Sequence, residues 1–176
     1  MFIKNGYENT SLRMIADRSY ISKSNIYRYF SSKDEIYEEL VRDARESMKQ
    51  VVVDFSNREY AGKYTYEKIE EISSIIARLM CESRSGFLII LSSTEGEDYR
   101  LLKDLFQKRF LEGCPIDDDE FKTQIVNLLI TGLTDILLKH EKQEEILERL
   151  RLLWCYHYRG LNGVKNEMGV DTAPIE

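Results

Sequence analysis

Apolar residues recur every three or four positions along most of the chain, and few stretches alternate between apolar and polar residues. Helical spacing of this kind places apolar side chains on one face of an α-helix, whereas strict alternation would indicate β-strands. The chain has 176 residues and only two prolines, so it can form long helices around a helical core. We predict an all-α protein whose longer helices lie at residues 33–55, 66–83, 86–93, 98–112, 118–140 and 143–161.

Two shorter helices joined by a tight turn are predicted within residues 10–30. Thr10 is expected to cap the first helix and Ser22 the second, because hydroxyl oxygens accept the backbone N–H groups that a helix start leaves unpaired. Apolar residues at helical spacing form the inner face of the pair: Leu12, Ile15, Ala16, Ile26 and Phe30. This arrangement indicates a helix-turn-helix, in which the second helix enters the major groove of DNA.

The second helix of the pair carries basic, polar and aromatic side chains on its outer side. They are Lys23, Ser24, Asn25, Tyr27 and Arg28, with Tyr29 directly after them. Lys23 and Arg28 can neutralise phosphates or donate to guanine, and Asn25 can pair with adenine or contact a phosphate. The hydroxyls of Tyr27 and Tyr29 can donate to phosphate oxygens, so this outer side is the predicted reading surface for DNA.

Residues at the helix starts complete the predicted DNA contacts. Lys33 opens the helix that follows, where its charge and its backbone N–H group can both hold a phosphate. The predicted DNA-binding set also includes three hydroxyl-bearing residues, Thr10, Ser11 and Ser22.

The net charge of −6 argues at first against a nucleic-acid partner, but the distribution of charge reverses that interpretation. Residues 1–33 hold six basic and two acidic side chains, a net charge of +4, so the other 143 residues carry −10. Salt screens charges beyond roughly 8–10 Å. The basic segment can therefore act on DNA while the acidic remainder stays away from the duplex.

Residues 6–36 resemble the N-terminal domain of the TetR family of bacterial transcriptional regulators. The matching positions are Gly6-Tyr7, Thr10-Ser11-Leu12, Ile15-Ala16, Ile21-Ser22-Lys23, Ile26-Tyr27-Arg28-Tyr29-Phe30 and Ser32-Lys33-Asp34-Glu35-Ile36. Their combination is far more specific than any single motif. The resemblance implies a three-helix DNA-binding domain at residues 1–45 and a helical ligand-binding and dimerisation domain at residues 46–163. The polar residues 164–176 are expected to form a flexible tail.

Two features depart from the family's pattern. The turn holds Ser19 and Tyr20 where the family usually has a small residue and a glycine, so we expect a slightly different turn. The family's first helix usually begins upstream of the point that corresponds to Met1, and only residues 1–5 of it remain here. Either the native start lies upstream of Met1, or the chain is a shortened member with a weakened hold on DNA.

The resemblance further implies a small-molecule pocket between the long linking helix and the core helices, whose occupation spreads two DNA-binding heads and releases DNA. Methionine and aromatic side chains form adaptable apolar walls, and an arginine can hold an anion. On this chemical ground alone, the candidate lining residues are Met80, Ser83, Arg84, Phe87, Phe106, Phe110 and Trp154. The alternative for each of them is ordinary core packing.

Apolar stripes on the helices at 118–140 and 143–161 are wider than one core contact needs. In TetR-like proteins the last two long helices pair with those of a second subunit, and we expect a homodimer of this kind. The predicted interface residues are Phe121, Ile125, Leu128, Gly132, Ile136, Leu150, Leu153 and His157. Two-fold symmetry would double the contact of a short recognition helix on a palindromic operator. The alternative is that these residues fill the subunit's own core.

Other functional classes find little support in the sequence. The two histidines, His140 and His157, belong to no metal or nucleophile motif, and no glycine-rich phosphate loop occurs, so no enzyme activity, metal or cofactor is expected. The acidic residues 117–120 are interpreted as a helix cap rather than a cation site. The three cysteines indicate no disulfide framework, and neither a signal peptide nor a membrane-spanning run is evident, so we expect a cytoplasmic protein.

The sequence as a whole therefore predicts a TetR-type DNA-binding transcriptional regulator. We expect a repressor that a small-molecule effector, of unknown identity, releases from a palindromic operator. Its expected partners are double-stranded DNA and a second copy of the chain, with no membrane. The alternative is an all-α protein-interaction or ligand-binding module whose shortened head no longer binds DNA.

Overall fold

The computed structural model describes residues 1–57, 66–93, 96–110 and 118–167. These residues form helices and no strand, which confirms the all-α prediction. In chain order the helices are α1 (Phe2–Asn5), α2 (Leu12–Ser19), α3 (Lys23–Ile26), α4 (Lys33–Asn57), α5 (Tyr66–Glu82), α6 (Arg84–Leu91), α7 (Glu97–Phe110), α8 (Asp119–Lys139) and α9 (Gln143–Glu167). Nearly all of the loop predicted at residues 57–65 lies outside the described residues.

We refer to residues 1–40 as the head and to the described residues from 41 onward as the body, and α4 runs through both. The first long helix of the head begins one residue later than the sequence suggested. Ser11 caps α2, since its Oγ accepts from the backbone N–H of Met14 at 3.2 Å. The prediction that Thr10 caps this helix is therefore wrong. The Thr10 hydroxyl donates instead to the carbonyl of Gly6 at 2.6 Å, and its side chain is buried.

The turn between α2 and α3 is closed by a left-handed residue, Tyr20, at φ 56° and ψ 32°. The N–H of Tyr20 donates to the carbonyl of Asp17, and the N–H of Ile21 donates to the carbonyl of Ala16 at 3.1 Å. These two hydrogen bonds satisfy backbone carbonyls at the end of α2. Helices often end in this way at a left-handed residue, which is usually a glycine. Ser22 then caps α3 by accepting from the N–H of Asn25 at 3.2 Å, as predicted.

The long helix predicted from residue 33 is present as α4, and it packs against α6. Val41, Ala44 and Met48 form its buried face in the body, whereas Leu40 is 41% exposed. The contact with α6 is close at Gly86, where an added Cβ would lie 2.8 Å from both the Ala44 Cβ and the Leu40 carbonyl oxygen. A residue without a side chain is therefore required at this crossing.

The body surrounds α6, in which residues 86–91 are all buried. The helix predicted at residues 86–93 is present, although it begins and ends two residues earlier. On the far side α5 packs along α9, and α8 lies against both α6 and α9. Asp118 caps α8 by accepting from the N–H of Phe121 at 2.9 Å, which confirms the interpretation of that acidic residue as a cap. Asp117 lies outside the described residues.

Helix α8 also has the length and composition of a membrane-spanning helix, the only such helix among the described residues. The sequence analysis expected no run of this kind. The buried residues of α8 share one side at helical spacing: Val126, Leu129, Ile130, Leu133, Ile136 and Leu137. This side packs in the apolar core of the body, so the packing is that of a core helix.

The last helix is longer than the sequence predicted. The apolar pattern ends near Leu161, and residues 164–176 were expected to be a flexible tail. In the structure α9 continues to Glu167, so the first part of that segment is helical. Residues 168–176 lie outside the described residues.

Candidate nucleic-acid interface

Helix α3 is fixed on the head by its single apolar anchor and presents its other side chains to solvent. Ile26 is buried in the contact with α2, and Phe30 is half-buried just after the helix. The side chains at and after the helix start are exposed, except for the partly buried Asn25: Ser22, Lys23, Ser24, Tyr27, Arg28 and Tyr29. Six residues of the predicted DNA-binding set therefore lie together on one accessible surface, which we call the reading surface.

The reading surface combines positive charge with tyrosine rings. The ammonium of Lys23 lies 5.5 Å from the centroid of the Tyr27 ring, one turn further along the chain. Tyr27 is 49% exposed and Tyr29 is 70% exposed, so both hydroxyl ends are accessible to a ligand. Such side chains can bind phosphate by charge and by hydrogen bonding without rearrangement of the core.

Helix α2 contributes the adjoining edge of this surface. Ser11 is exposed at its start, although its Oγ is already occupied as a cap. Arg13 and Arg18 are exposed as well, and the Arg13 guanidinium lies 3.8 Å from the carboxylate of Asp17. Thr10 was predicted to contact DNA, but its side chain is 2% exposed and bonded to Gly6. Its hydroxyl is therefore a structural group of the head and not part of the reading surface.

Lys33 makes contacts within the head that the sequence did not indicate. Its ammonium donates to the carbonyl of Tyr7 at 2.8 Å and lies 3.9 Å from the centroid of the Tyr7 ring. The side chain thus joins the first turn of α4 to the loop before α2. Lys33 still adds positive charge at a helix N-terminus, where an anion is favoured, but part of its hydrogen-bonding capacity is used within the protein.

The start of α4 is capped by two serines and a glutamate. Ser32 Oγ accepts from the N–H of Glu35 at 3.2 Å, and Glu35 Oε2 accepts from the N–H and the hydroxyl of Ser31 at 2.6 and 2.8 Å. These bonds from Ser31 lower the pKa of the Glu35 carboxyl. The reciprocal arrangement resembles a capping box and fixes the connection between α3 and α4.

The residues proposed to line an effector pocket fall into different environments. Met80, Phe87, Phe106 and Trp154 are buried in the body core, and the rings of Phe106 and Trp154 lie 6.3 Å apart. Ser83 is partly buried at the start of α6, and the side chain of Phe110 lies outside the described set.

Arg84, expected to hold an anion, is bound at the C-terminal end of α8. Its guanidinium donates to the carbonyl of His140 at 2.6 Å and to that of Leu137. A cation is favoured at a helix C-terminus because the unpaired carbonyls there carry partial negative charge. These hydrogen bonds account for the position of the Arg84 guanidinium without a bound anion. The arrangement therefore does not support an anion-binding role for Arg84.

The residues predicted for a dimer interface also separate into core and surface. Leu150 is fully buried and Ile136 is 9% exposed, so both belong to the subunit's own core and not to an interface. An added Cβ at Gly132 would lie 3.0 Å from Leu153 Cδ1, so this glycine allows α8 and α9 of one subunit to approach each other. Leu128 is 61% exposed.

The other three predicted interface residues, Phe121, Ile125 and His157, are partly buried. Burial lowers the pKa of the His157 imidazole. Sequence reasoning missed three exposed apolar residues on the same two helices, namely Leu138, Leu152 and Tyr156. Leu152 and Tyr156 are four residues apart, which is the spacing of one helix face and was a signal available in the sequence.

Among the described residues no group of three histidine, cysteine or acidic side chains is placed to hold a metal ion. A comparison with curated proteins gave no match to the chain. Residues 1–40 match the family model described as "Bacterial regulatory proteins, tetR family". The match covers α1–α3 and the first turns of α4, which are the elements that build and support the reading surface. Residues 1–40 are therefore similar to the N-terminal helix-turn-helix domain of TetR-family regulators.

Proposed function

We propose that the protein is a cytoplasmic transcriptional repressor that binds a palindromic operator as a homodimer and leaves it when a small-molecule effector binds. The observation that carries the proposal is the reading surface on α3, whose basic and aromatic side chains are exposed on a firmly anchored helix. Repression is chosen because it is the commoner mode in the family that the N-terminal domain resembles. A catalytic role is not part of the proposal.

The charged and aromatic side chains of the reading surface, and the adjacent Asn25, have roles in this function. Lys23 and Arg28 neutralise phosphates or donate to guanine, and Asn25 reads a base edge from the first turn of α3. Tyr27 and Tyr29 donate to phosphate oxygens and fix the register of the helix in the groove. Phosphate contacts supply affinity, and the few contacts to bases supply sequence preference.

A second copy of the chain is the proposed partner of the outer face of α8 and α9. Leu152, Tyr156 and Gly160 follow one another at intervals of four residues on α9, and the two side chains are 57% and 74% exposed. An added Cβ at Gly160 or Gly163 would meet no atom within 4 Å, so this stripe is open to a close approach. Together with the exposed Leu128 on α8, it offers an apolar surface that a two-fold axis would cover.

The effector is proposed to bind within the body, among the buried methionine and aromatic residues described above. One polar group there supports a ligand. Ser73 on α5 is fully buried, and its hydroxyl has no hydrogen-bond partner among the residues that the structure describes. An unpaired buried hydroxyl is unfavourable, so a bound effector that supplies a hydrogen bond would satisfy it.

The test of DNA binding is fluorescence anisotropy with labelled duplexes from upstream of the gene, compared with a scrambled duplex. The 176-residue chain should bind the upstream DNA more tightly than the scrambled DNA. Tyr27→Ala should weaken that binding, whereas Lys142→Ala, an exposed lysine far from the reading surface, should not. A version extended through any in-frame upstream codons belongs in the same experiment. Failure of both versions to prefer upstream DNA would contradict the proposed function and favour an interaction module.

The test of the dimer is a solution mass at micromolar concentration. The wild-type chain should have twice the mass of one subunit. Leu152→Arg combined with Tyr156→Arg should yield a monomer, because two charges in the apolar stripe would have to be desolvated. Glu141→Arg, an exposed residue outside the stripe, is the matched control. A monomeric wild-type protein would exclude the proposed interface.

A further inference from the structure

The carboxylate of Asp98 lies at the junction of head and body and binds α4 at two points. Arg45 Nε donates to Asp98 Oδ1 at 2.6 Å, and Arg45 Nη2 donates to Oδ2 at 2.9 Å. The hydroxyl of Tyr37 donates to the same Oδ2 at 3.3 Å. Tyr37 and Arg45 are two turns apart on α4, while Asp98 is the second residue of α7. One side chain of α7 thus bonds to two residues of α4 that lie two turns apart.

Tyr37 reaches both parts of the molecule. Its ring contacts the rings of Tyr7 and Phe2 edge to face, with centroids 5.1 and 5.7 Å away. The Lys33 ammonium in turn donates to the Tyr7 carbonyl and lies over the Tyr7 ring. The ring therefore belongs to an aromatic cluster of the head, and the hydroxyl belongs to the ion pair with the body. A displacement of Asp98 would be transmitted to this cluster through one rigid side chain.

The ion pair is more deeply buried than the other ion pairs on α4. The Asp98 side chain is 6% exposed and that of Arg45 is 25% exposed, whereas the Arg42–Glu39 pair on the same helix is 59% and 52% exposed. Removing charges from water costs free energy that pairing only partly returns, so a buried pair is weak support for stability. A bidentate pair does fix the relative orientation of the two side chains, because a guanidinium and a carboxylate form both hydrogen bonds in only one arrangement.

The surroundings of the pair leave room for the head to move. A cavity of about 740 Å³ lies at this junction, lined by residues 5–9 and Asp34 of the head and by residues 92–93 and 96–98 of the body. Continuous apolar packing is therefore absent across this part of the described junction. The contact of α4 with α6 at Gly86 lies at Leu40 and Ala44, between Tyr37 and Arg45. The hydrogen bond from Tyr37 to Asp98 holds α4 on the head side of this contact, and the two bonds from Arg45 hold the turn next to it in the body.

We infer that Asp98 is a positioning residue that sets the angle of the head, and therefore the distance between the two reading surfaces of a dimer on DNA. The inference rests on the proposed function, since the spacing of half-sites has meaning only for a dimeric DNA-binding protein. Asp98 is buried and lies outside the reading surface. It acts through Tyr37 and Arg45, and its removal leaves each reading surface intact while the angle between the heads becomes variable.

The experiment measures binding to three kinds of duplex: the operator found upstream of the gene, versions with one base pair added or removed between the half-sites, and a single half-site. The wild-type chain should prefer one spacing. Asp98→Asn should bind the single half-site as the wild type does, should lose about tenfold in affinity for the operator, and should bind the altered spacings almost equally well. Glu39→Gln, which removes the exposed ion pair on the same helix, is the matched control and should keep the wild-type preference.

Two results would overturn the inference. One is a wild-type spacing preference in Asp98→Asn, and the other is an equal loss of half-site binding, which would place the defect in the head itself. A second measurement covers the case in which no operator is found and the proposed function fails. Spin labels at Arg28→Cys and Glu148→Cys, in a chain lacking its native cysteines and diluted with unlabelled chain, report the distance from head to body. Asp98→Asn should broaden that distance distribution, and an unchanged distribution would contradict the inference without reference to DNA.

Discussion

The ammonium of Lys33 lies 3.9 Å from the centroid of the Tyr7 ring and donates to the Tyr7 carbonyl at 2.8 Å. The two residues are 26 positions apart in the sequence, so this contact closes the head around α2 and α3. Lys33 therefore has a structural role in addition to any contact with phosphate. Variants of Lys33 are expected to separate the two roles.

Lys33→Met is expected to lower the free energy of unfolding by about 1–2 kcal/mol, because it removes a charge-assisted hydrogen bond and a cation–π contact. Lys23→Met removes an exposed charge of the reading surface and should change stability by less than about 0.5 kcal/mol. Urea denaturation followed by circular dichroism gives both values. Equal stability of the two variants would show that the contact with Tyr7 contributes nothing.

Phosphate contacts and base contacts of the reading surface should respond differently to mutation. Lys23→Ala should weaken binding to all duplexes alike and reduce the slope of log affinity against log salt by about 1. Asn25→Ala should instead cost about 1–3 kcal/mol at one base-pair position and relax the preference there. Titrations at several salt concentrations, on the operator and its single-base variants, distinguish the two. A change in base preference with Lys23→Ala would assign that residue to base reading.

Tyr20→Gly is expected to stabilise the protein by about 0.5 kcal/mol. A left-handed conformation costs a residue with a side chain about 1–2 kcal/mol, and the greater freedom of glycine in the unfolded chain offsets part of the gain. Tyr29→Gly is the control, since Tyr29 is also exposed but has a negative φ, and this variant should lose stability. Thermal unfolding of both variants checks the prediction. A loss of stability in Tyr20→Gly would mean that the exposed ring makes a stabilising contact.

Gly86→Ala is expected to destabilise the protein by about 1–3 kcal/mol. The added methyl group would meet the Leu40 carbonyl and the Ala44 side chain, so α4 and α6 would have to move apart. Ser85→Ala, at the exposed position next to Gly86 on α6, introduces no clash and should change stability by less than about 0.5 kcal/mol. Chemical denaturation measures both, and similar values for the two variants would refute the close crossing.

The hydroxyl of Tyr37 should make stability depend on pH in the alkaline range. Burial, and then the charge and hydrogen bond of Asp98, raise the pKa of Tyr37 from 10.0 to about 12. The folded protein therefore holds this proton more tightly than the unfolded chain, so the stabilisation is complete below pH 10 and is lost as the pH rises toward 12. The difference in unfolding free energy between wild type and Tyr37→Phe should shrink across this interval. A constant difference would show that the hydroxyl is not buried against a carboxylate.

Most helix boundaries were predicted from the sequence to within two residues, except the end of α9, which lies six residues beyond the predicted end at residue 161. Periodicity found the long helices, and the hydroxyl at Ser22 was correctly identified as the cap of α3. The error at Thr10 arose because Thr10 and Ser11 offer the same hydroxyl chemistry, and only the position at which the helix begins decides between them. Periodicity shows which side of a helix is apolar but not what covers it. For that reason Ile136 and Leu150 were assigned to an interface although they lie in the core.

Polar contacts between residues far apart in the sequence could not be predicted from the sequence. Arg45 and Asp98 are 53 positions apart, and nothing in the spacing of either residue indicates the other. Arg84 was chosen for its charge, yet its partners are two backbone carbonyls of α8, which carry no signature in the sequence. The reading surface was predictable because all its members lie within one short run of the sequence, Ser22–Tyr29. The junction with the body was not, because it depends on how separate helices meet.

The close crossing at Gly86 gives α4 the properties of a lever. From Ala44, which touches α6 there, to Lys33 at the head end, the helix rises roughly 16 Å at about 1.5 Å per residue. A tilt of about 10° around this fulcrum would carry Lys33 and the attached head through about 3 Å, which is close to the roughly 3.4 Å between successive phosphates of one DNA strand along the helix axis. A tilt of this size, with no change inside the head, would therefore move the reading surface by about one base-pair step.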